Sequence, residues 1–212
     1  MTEFVLIRHG ETDWNRERRF QGQSDPPLNA TGQRQAERLA RRLAAEPAEV
    51  FVSSDLQRAR QTAGPLAQAW GLEPQLRRGL REQAFGRLEG LTAAVIQERH
   101  PLLWTRWLEQ RADFALPDGG ESLAVFSARV LADLDELAQR HPGRRIAVVT
   151  HGGVLDMVWR AANGLPLDGL RQCDIPNTGI NRLQWSAGRL RVLAWAEASH
   201  LADEAEDLAA SA

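Results

Sequence analysis

The sequence predicts an α/β fold: a three-layer α/β/α sandwich with a mostly parallel central sheet and a helical cap insertion. Three short, solidly apolar runs, at residues 4–7, 50–52 and 146–149, are typical of strands buried on both faces of a parallel sheet. A segment with the helical spacing of apolar residues follows each run. Strands that alternate with helices in this way indicate a parallel sheet covered by helices on both faces.

The first half of the chain contains two strand–helix units. After the first apolar run, Thr31 can cap a helix that extends to about Ala45. After the second run, a helix is expected from about Leu56, because the serine and aspartate residues before it are good capping residues. Pro65 is expected to kink or end this helix, since its ring removes a backbone donor.

Residues 80–120 are predicted to leave the sheet as a cap-like insertion. This stretch has no strand pattern, and it contains a helical run at residues 92–100. An apolar and aromatic group follows that run: Leu103, Trp104, Trp107, Leu108 and Phe114. Two interpretations stay open, because these side chains could line an apolar entrance to a site or could pack the cap onto the core.

The second half of the chain returns to the sheet. A long helix is predicted after two consecutive glycines, with an apolar stripe at spacings of three and four: Leu123, Phe126, Val130, Leu134 and Leu137. The third apolar run is followed by a helix that extends to about Ala162. Two more strands are expected near residues 182–185 and 190–195.

The chain shows no internal repeat and no linker that would divide it. We therefore expect residues 1–200 to form a single α/β domain, with the cap as an insertion in it. Residues 201–212 are rich in Ala, Asp and Glu and are expected to form an acidic C-terminal tail.

Composition argues against several classes of partner. With a formal net charge of −2, the chain has no bulk field that would recruit nucleic acid or an anionic membrane. No window approaches the ~18 uninterrupted apolar residues that a membrane span requires, and the first residues show no signal-peptide pattern. We expect a cytoplasmic protein that binds neither nucleic acid nor a membrane, and a homodimer is left open.

All 26 basic residues are arginine, and tyrosine is absent. Together with heavy use of Ala, Arg and Gly, this bias is typical of a GC-rich, bacterial genome. It also means that a cationic group that binds an anion must be an arginine or a protonated histidine. The single cysteine, Cys173, excludes an intramolecular disulfide, and no nucleophile-turn pattern surrounds it.

Polar and charged side chains follow all three predicted buried strands. Arg8 and His9 end the first, Arg58 lies in the helix after the second, and His151 ends the third. Ligands of parallel α/β sheets collect beyond the carboxyl ends of the strands, and the planar fork of arginine matches the oxygens of phosphate. Glycines that follow both histidines let the backbone approach a ligand closely. The residues alone predict an anion-binding α/β protein, with hydrolase activity as one option.

The chain resembles a known family in a series of motifs. The first is Arg8-His9-Gly10-Glu11-Thr12 followed by Trp14-Asn15, which resembles the signature of the histidine phosphatase superfamily in its phosphoglycerate-mutase-like branch. The other motifs follow in order: Phe20-Gln21-Gly22-Gln23, Pro27-Leu28-Asn29-Ala30-Thr31-Gly32, Ser53-Ser54-Asp55-Leu56-Gln57-Arg58-Ala59, Leu80-Arg81-Glu82 with Phe85-Gly86 and Glu89-Gly90, Gly119-Gly120-Glu121-Ser122, and Val149-Thr150-His151-Gly152-Gly153. The resemblance covers most of the chain, up to about Leu201.

The resemblance implies a role for each matching residue. His9 would be the nucleophile that becomes phosphorylated, and Glu82 would be the proton donor, with Glu89 as the rival carboxylate and Glu11 in a structural role. The substrate phosphate would be bound by a set of polar residues and glycines: Arg8, Asn15, Gln21, Gly22, Arg58, His151 and Gly152. Of these, the arginines and the second histidine would also act in catalysis. No metal and no cofactor are implied, and the sequence has no zinc-type ligand spacing.

Phosphatases and mutases of this family share the first half-reaction and differ in what receives the phosphoryl group. Mutases specific for phosphoglycerate usually carry a longer, more basic insertion before the second histidine. Here Glu82 and His151 are only 69 residues apart, and Gln83-Ala84-Phe85 replaces the basic-aromatic continuation of the mutases. We therefore predict a metal-independent phosphatase that acts on a small phosphomonoester. Mutase activity and a catalytically silent phospho-ligand-binding relative are the alternatives, and both broad specificity and an α-ribazole phosphate substrate stay open.

Overall fold

A six-stranded sheet forms the centre of the part of the chain, residues 1–202, that the computed structural model describes. Its strands are β1 (Thr2–Arg8), β2 (Val50–Ser54), β3 (Gln75–Arg77), β4 (Arg145–Thr150), β5 (Ile180–Ser186) and β6 (Arg189–Glu197). The spatial order is β3-β2-β4-β1-β5-β6. Strands β1 to β4 run parallel, whereas β5 is antiparallel to both β1 and β6. The predicted mostly parallel sheet is confirmed.

Helices cover both faces of this sheet. In chain order they are α1 (Asp13–Arg16), α2 (Ala30–Leu43), α3 (Gln57–Trp70), α4 (Ala93–Arg99), α5 (Pro101–Leu108), α6 (Leu123–Arg140) and α7 (Gly152–Asn163). On one face, Val5 and Ile7 pack with buried side chains of α2 and α3. On the other face, Phe4 and Leu6 pack with α6 and α7. The three-layer α/β/α sandwich is therefore confirmed.

Both faces of β1 are buried, which explains why every position of its apolar run is apolar. Side chains of successive strand residues point to opposite faces, and all four residues at 4–7 are at most 4% exposed. Burying a side chain of this size stabilises the fold by roughly 1.5–3 kcal/mol. Strand β1 thus lies between two layers of helices, and its carboxyl end is fixed from both sides.

Two local predictions about helices need correction. Helix α2 is capped by Asn29, whose side chain accepts a hydrogen bond from the N–H of Gly32 at 2.9 Å. Thr31 is already in the first turn, so the predicted Thr31 cap is wrong. Helix α3 does not end at Pro65 but continues to Trp70. Gly64 precedes this proline, and since glycine has no Cβ, the usual clash between a proline ring and the preceding residue is reduced.

The segment between β3 and α6 forms a small helical cap. It contains two 3-10 turns, at Arg78–Leu80 and Gly86–Leu88, and then helices α4 and α5. Its buried core consists of Leu88, Ile96 and Leu116. Partly buried apolar side chains pack against that core, among them Phe20, Phe85, Leu103, Trp104, Trp107 and Phe114. The tryptophans and Phe114 of this segment are therefore parts of the cap core.

None of the helices within residues 1–202 has the length and apolar character needed to cross a bilayer. The predicted acidic tail, residues 201–212, lies outside the described residues apart from its first two positions.

Candidate active site

His9 is a buried, oriented imidazole at the carboxyl end of β1. Its Nδ1 lies 2.7 Å from the carbonyl oxygen of Gly10. Because a carbonyl can only accept, this contact places the proton on Nδ1 and leaves the lone pair on Nε2. Burial, together with the positive charges of Arg58 and Arg8, holds the pKa of His9 well below the ordinary value of 6.5. His9 is therefore a neutral imidazole at physiological pH.

His151 lies beside His9 because the two strands that carry them are adjacent and parallel. In the register of β1 and β4, Arg8 pairs with Thr150, so the next residue of each strand emerges at the same level. The two ring centroids are 5.2 Å apart. Burial is the main cause that holds the pKa of His151 well below 6.5, followed by the charge of Arg58. A second neutral imidazole therefore adjoins the first.

Ser54, the last residue of β2, is the hydrogen-bond partner of the His151 ring. The Oγ of Ser54 lies 2.7 Å from Nε2 of His151 and accepts a hydrogen bond from the N–H of Leu56 at 3.4 Å. When the serine hydroxyl donates to Nε2, the ring proton of His151 lies on Nδ1. This Nδ1 is buried and has no hydrogen-bond partner within residues 1–202. It is a donor available to a ligand.

Arg58 and Arg8 each present one more donor of this kind. Arg58 is completely buried and donates through Nη1 to the carbonyl of Ser24 and through Nη2 to that of Gly22, both at 2.8 Å. Arg8 donates through Nη1 to the carbonyl of Ile175 at 2.6 Å. The Nε of each is buried without a partner within residues 1–202.

Both arginines remain charged although they are buried. Burial is the main cause that lowers the pKa of each to about 10, and for Arg8 the neighbouring charge of Arg171 lowers it further. A buried donor without a partner is costly. The charges of Arg8 and Arg58 act on His9 and the ring of His151 contacts it, so an oxyanion bound beside His9 is a suitable partner for these donors.

A cavity of about 280 Å³ opens at this edge of the sheet. Eight of the nine predicted site residues line it: Arg8, His9, Asn15, Gln21, Gly22, Arg58, Glu82 and Gly152. The ninth, His151, contacts the cavity residue His9 through its ring. A larger cavity of about 550 Å³ between α6, α7 and the β5–β6 hairpin has only Asp135 and Arg189 as charged lining residues and contains none of these groups.

Glu82 lies in this cavity with its carboxylate held by backbone donors. Its Oε2 accepts from the N–H of Gly153 at 3.0 Å, and its Oε1 accepts from the N–H of Gln83 at 2.9 Å. A Cβ at position 153 would overlap the carboxylate, so the glycine after His151 is what lets Glu82 approach α7. Arg129 donates to the carbonyls of Gly79, Arg81 and Glu82 and thereby fixes the backbone that carries this carboxylate.

Glu89, the rival carboxylate, has a structural role. Its oxygens accept hydrogen bonds from the backbone N–H groups of Gln23, Ser24 and Phe85 and from the hydroxyl of Ser24. It does not line the cavity. Glu89 instead shapes the loop whose carbonyls receive the guanidinium of Arg58.

The match to a family model decides the identity of this fold and site. Residues 4–198 match the model described as histidine phosphatase superfamily (branch 1). The chain belongs to the histidine phosphatase superfamily.

Relatives and solved structures of this superfamily resemble the chain over nearly its whole length. Phosphoglycerate mutase-like protein 4 of Arabidopsis thaliana is 38% identical over 94% of this chain and 86% of its own length. The metal-independent phosphoserine phosphatase of the same plant is 34% identical over 95% of this chain and 84% of its own. The structure of YhfR from Bacillus stearothermophilus superposes with a TM-score of 0.87 at 31% identity, covering 95% of this chain and all of that one.

Several cavity residues of this superfamily member were not predicted from its sequence: Trp14, Arg18, Arg19, Phe20, Phe85 and Arg171. The aromatic wall of the cavity is thus formed by Trp14, Phe20 and Phe85, whereas Trp104 and Phe114 do not line it. Trp14, Phe20 and Phe85 lie within the quoted motifs, so their position beside His9 and Glu82 was an available signal. The sequence gives no signal for Arg171, because this residue lies outside all of the quoted motifs.

Within residues 1–202, no three His, Cys, Asp or Glu side chains are grouped as metal ligands would be. Burial raises the pKa of the Cys173 thiol to about 11, so it is protonated at neutral pH.

The two buried histidines predict a loss of stability in acid. Because the folded-state pKa of His9 and of His151 is lowered, the unfolded chain binds more protons below its histidine pKa of ~6.5. The free energy of unfolding should then fall by up to ~1.4 kcal/mol per pH unit for each histidine. Urea unfolding at about pH 7.5, 6.5 and 5.5 measures this slope.

The variant His9→Gln is the control for this measurement. It removes one of the buried groups that titrate, so it should reduce the slope by up to ~1.4 kcal/mol per pH unit. A free energy of unfolding that stays constant as the pH falls through this window would contradict the burial of neutral imidazoles.

Proposed function

We propose that the protein hydrolyses phosphate monoesters through a phosphohistidine formed on His9, with Glu82 as the general acid and then the general base. The observation that supports this most is the arrangement around His9. A neutral imidazole with its lone pair on Nε2 lies near three buried donors that have no partner within residues 1–202. Nucleophile, anion pocket and carboxylate are the three parts that phosphoryl transfer to an imidazole requires.

In the first step, the phosphate of the substrate binds to Nε of Arg8, Nε of Arg58 and Nδ1 of His151. Nε2 of His9 forms a bond to phosphorus while the bond from phosphorus to the ester oxygen breaks. Protonated Glu82 gives its proton to that oxygen, so that a neutral alcohol leaves. The charge on the transferring oxygens is stabilised by the two guanidinium groups, whose Nη atoms are held by backbone carbonyls.

In the second step, a water molecule attacks the phosphorus of phosphohistidine. The Glu82 carboxylate takes a proton from this water, and the bond between phosphorus and Nε2 breaks. Inorganic phosphate leaves, His9 is again neutral with its proton on Nδ1, and Glu82 is again protonated. The hydrogen bond from Nδ1 to the carbonyl of Gly10 holds the ring in one orientation through both steps.

Phosphoryl transfer to a second sugar or acid phosphate is the alternative, since one relative is named a phosphoglycerate mutase-like protein and another a phosphoserine phosphatase. A cavity of about 280 Å³ favours hydrolysis, because water is the smaller acceptor. Incubation with 3-phosphoglycerate, with and without 2,3-bisphosphoglycerate, separates the two, since hydrolysis releases phosphate and a mutase yields 2-phosphoglycerate.

The variant Glu82→Gln tests the proton donor. We expect kcat/KM for an alkyl phosphate to fall by roughly 10²–10⁴, because a poor leaving oxygen needs the proton. For p-nitrophenyl phosphate, whose leaving group is stable as an anion, we expect a loss of less than about tenfold. The control is Glu73→Gln, an exposed carboxylate away from the cavity. Equal losses for both substrates would rule out Glu82 as the proton donor.

Three further statements stay predictions. We propose that residues 1–200 act as one catalytic domain, because Glu82 and Phe85 from the cap segment, residues 80–120, line the same cavity as His9. A cytoplasmic location in a bacterium and a homodimer rest on the sequence alone.

A further inference from the structure

Arg171 is a charged residue of the cavity that the proposed chemistry does not use. It lies on the segment between α7 and β5, lines the cavity and is exposed. Within residues 1–202 its side chain makes no hydrogen bond and no ion pair. A Cβ built on Gly152 would lie 3.8 Å from each terminal nitrogen of Arg171 and 3.6 Å from Nε of Arg8. The two guanidinium groups therefore approach the same point of the cavity wall, at Gly152.

Helix α7 holds the segment that carries Arg171 in place. Arg160 on α7 is buried and pairs with Asp156 at 3.1 Å. Its guanidinium donates to four consecutive carbonyls just before Arg171, those of Pro166, Leu167, Asp168 and Gly169. A buried arginine that satisfies four carbonyls fixes the path of the backbone.

The cap and Arg8 also hold the same segment, at residues before and after Arg171. The cap donates an N–H from Ala112 to the Asp168 carboxylate at 2.7 Å, and Gly169 donates to the carbonyl of Gln110 at 3.0 Å. After Arg171, the carbonyl of Ile175 receives Nη1 of Arg8. Arg171 is thus attached to a chain segment that is anchored on both sides of it.

The charges in the cavity exceed what one phosphate needs. A phosphate dianion is matched by Arg8 and Arg58, and both are placed for it by their unpartnered Nε atoms. Arg171 adds a positive charge next to Arg8, which disfavours the charged form of Arg8 and lowers its pKa. A second anionic group between the cavity mouth and Arg8 would offset this repulsion.

We propose that Arg171 binds a carboxylate on the alcohol part of the substrate, so that the enzyme selects phosphate monoesters of small hydroxy acids. This proposal rests on the proposed function. The guanidinium fork matches a carboxylate with two parallel hydrogen bonds. The proximity of Arg171 to Arg8 sets the carboxylate a few bonds from the phosphate, and the cavity volume of about 280 Å³ fits a molecule of that size.

Binding to the His9→Ala background tests this specificity without turnover. Calorimetric titration with 3-phosphoglycerate and with glycerol 3-phosphate compares two ligands that differ by the carboxylate. We expect Arg171→Gln to weaken binding of 3-phosphoglycerate by about tenfold or more and binding of glycerol 3-phosphate by less than about threefold. Thermal unfolding of each variant verifies that the fold is retained.

Two controls separate the position of the charge from its mere presence. Arg18→Gln removes another cavity arginine, and Arg189→Gln removes an exposed one far from the site. Both should change the ratio of the two affinities by less than about threefold. The proposal would be overturned if Arg171→Gln weakened binding of both ligands equally or of neither. It would also be overturned if the selective loss occurred with Arg18→Gln instead, or if the His9→Ala background did not bind 3-phosphoglycerate. A failure of the proposed function would show separately, as wild-type protein that releases no phosphate from either ester.

Discussion

Replacing His9 by alanine is expected to reduce kcat/KM for p-nitrophenyl phosphate by at least ~10⁴. The reason is that the imidazole forms the covalent bond in the first step, and neither His151 nor Cys173 is placed to replace it. Nε2 of His151 accepts from the Ser54 hydroxyl, and the Cys173 thiol is protonated. Steady-state release of p-nitrophenol measures the effect.

The matched control for this loss is His141→Ala. His141 follows α6 and precedes β4, so it lies near the amino end of the strands, opposite to the site. It should keep kcat/KM within about twofold of wild type. Rates of His9→Ala that equal those of wild type would show that the nucleophile lies elsewhere.

Replacing Arg58 by glutamine should produce the second largest effect, a loss of roughly 10²–10³ in kcat/KM. Glutamine removes the positive charge and the Nε donor that face the phosphate. It also leaves the carbonyls of Ser24 and Gly22 without the Nη groups that now satisfy them. We therefore expect a lower midpoint of thermal unfolding as well, because buried acceptors lose their donor.

Two further variants separate the chemistry from the stability. Arg58→Lys keeps the charge, but its single ammonium group cannot reach two carbonyls and a phosphate at once. Activity that this variant loses therefore measures the hydrogen-bonding geometry of the guanidinium group, because the charge is unchanged. Arg60→Gln lies two residues away on the exposed side of α3 and should leave activity within about twofold of wild type. Full activity of a folded Arg58→Gln would contradict the proposed phosphate pocket.

Much of the fold could be predicted because its signals are local. The runs at residues 4–7 and 146–149 are apolar on every position, which only a strand buried on both faces requires. Once these runs are parallel neighbours, the position of His9 beside His151 follows from the topology of the sheet. The site residues came mainly from the motifs, since no local pattern distinguishes Glu82 from Glu89.

Features that depend on distant contacts could not be predicted. The edge strand β3 has three residues, of which Gln75 and Leu76 are exposed, so it shows no hydrophobic pattern. The position of Arg171 depends on Arg160 and on cap residues more than fifty positions earlier, such as Ala112. The aromatic residues of the cap gave no signal that separates a packed core from a cavity wall, because both are apolar.

Direct identification of the phosphoenzyme tests the central claim. Wild-type protein mixed with p-nitrophenyl phosphate is quenched in alkali within milliseconds, where phosphohistidine is stable, and digested with trypsin. Cleavage after arginine places His9 in the peptide 9–16 and His151 in the peptide 146–160, so mass spectrometry distinguishes the two histidines. We predict a transient phosphoryl group on the peptide 9–16 that is absent from His9→Ala. A phosphoryl group on the peptide 146–160, or full turnover with no phosphorylated peptide at any time, would contradict the account.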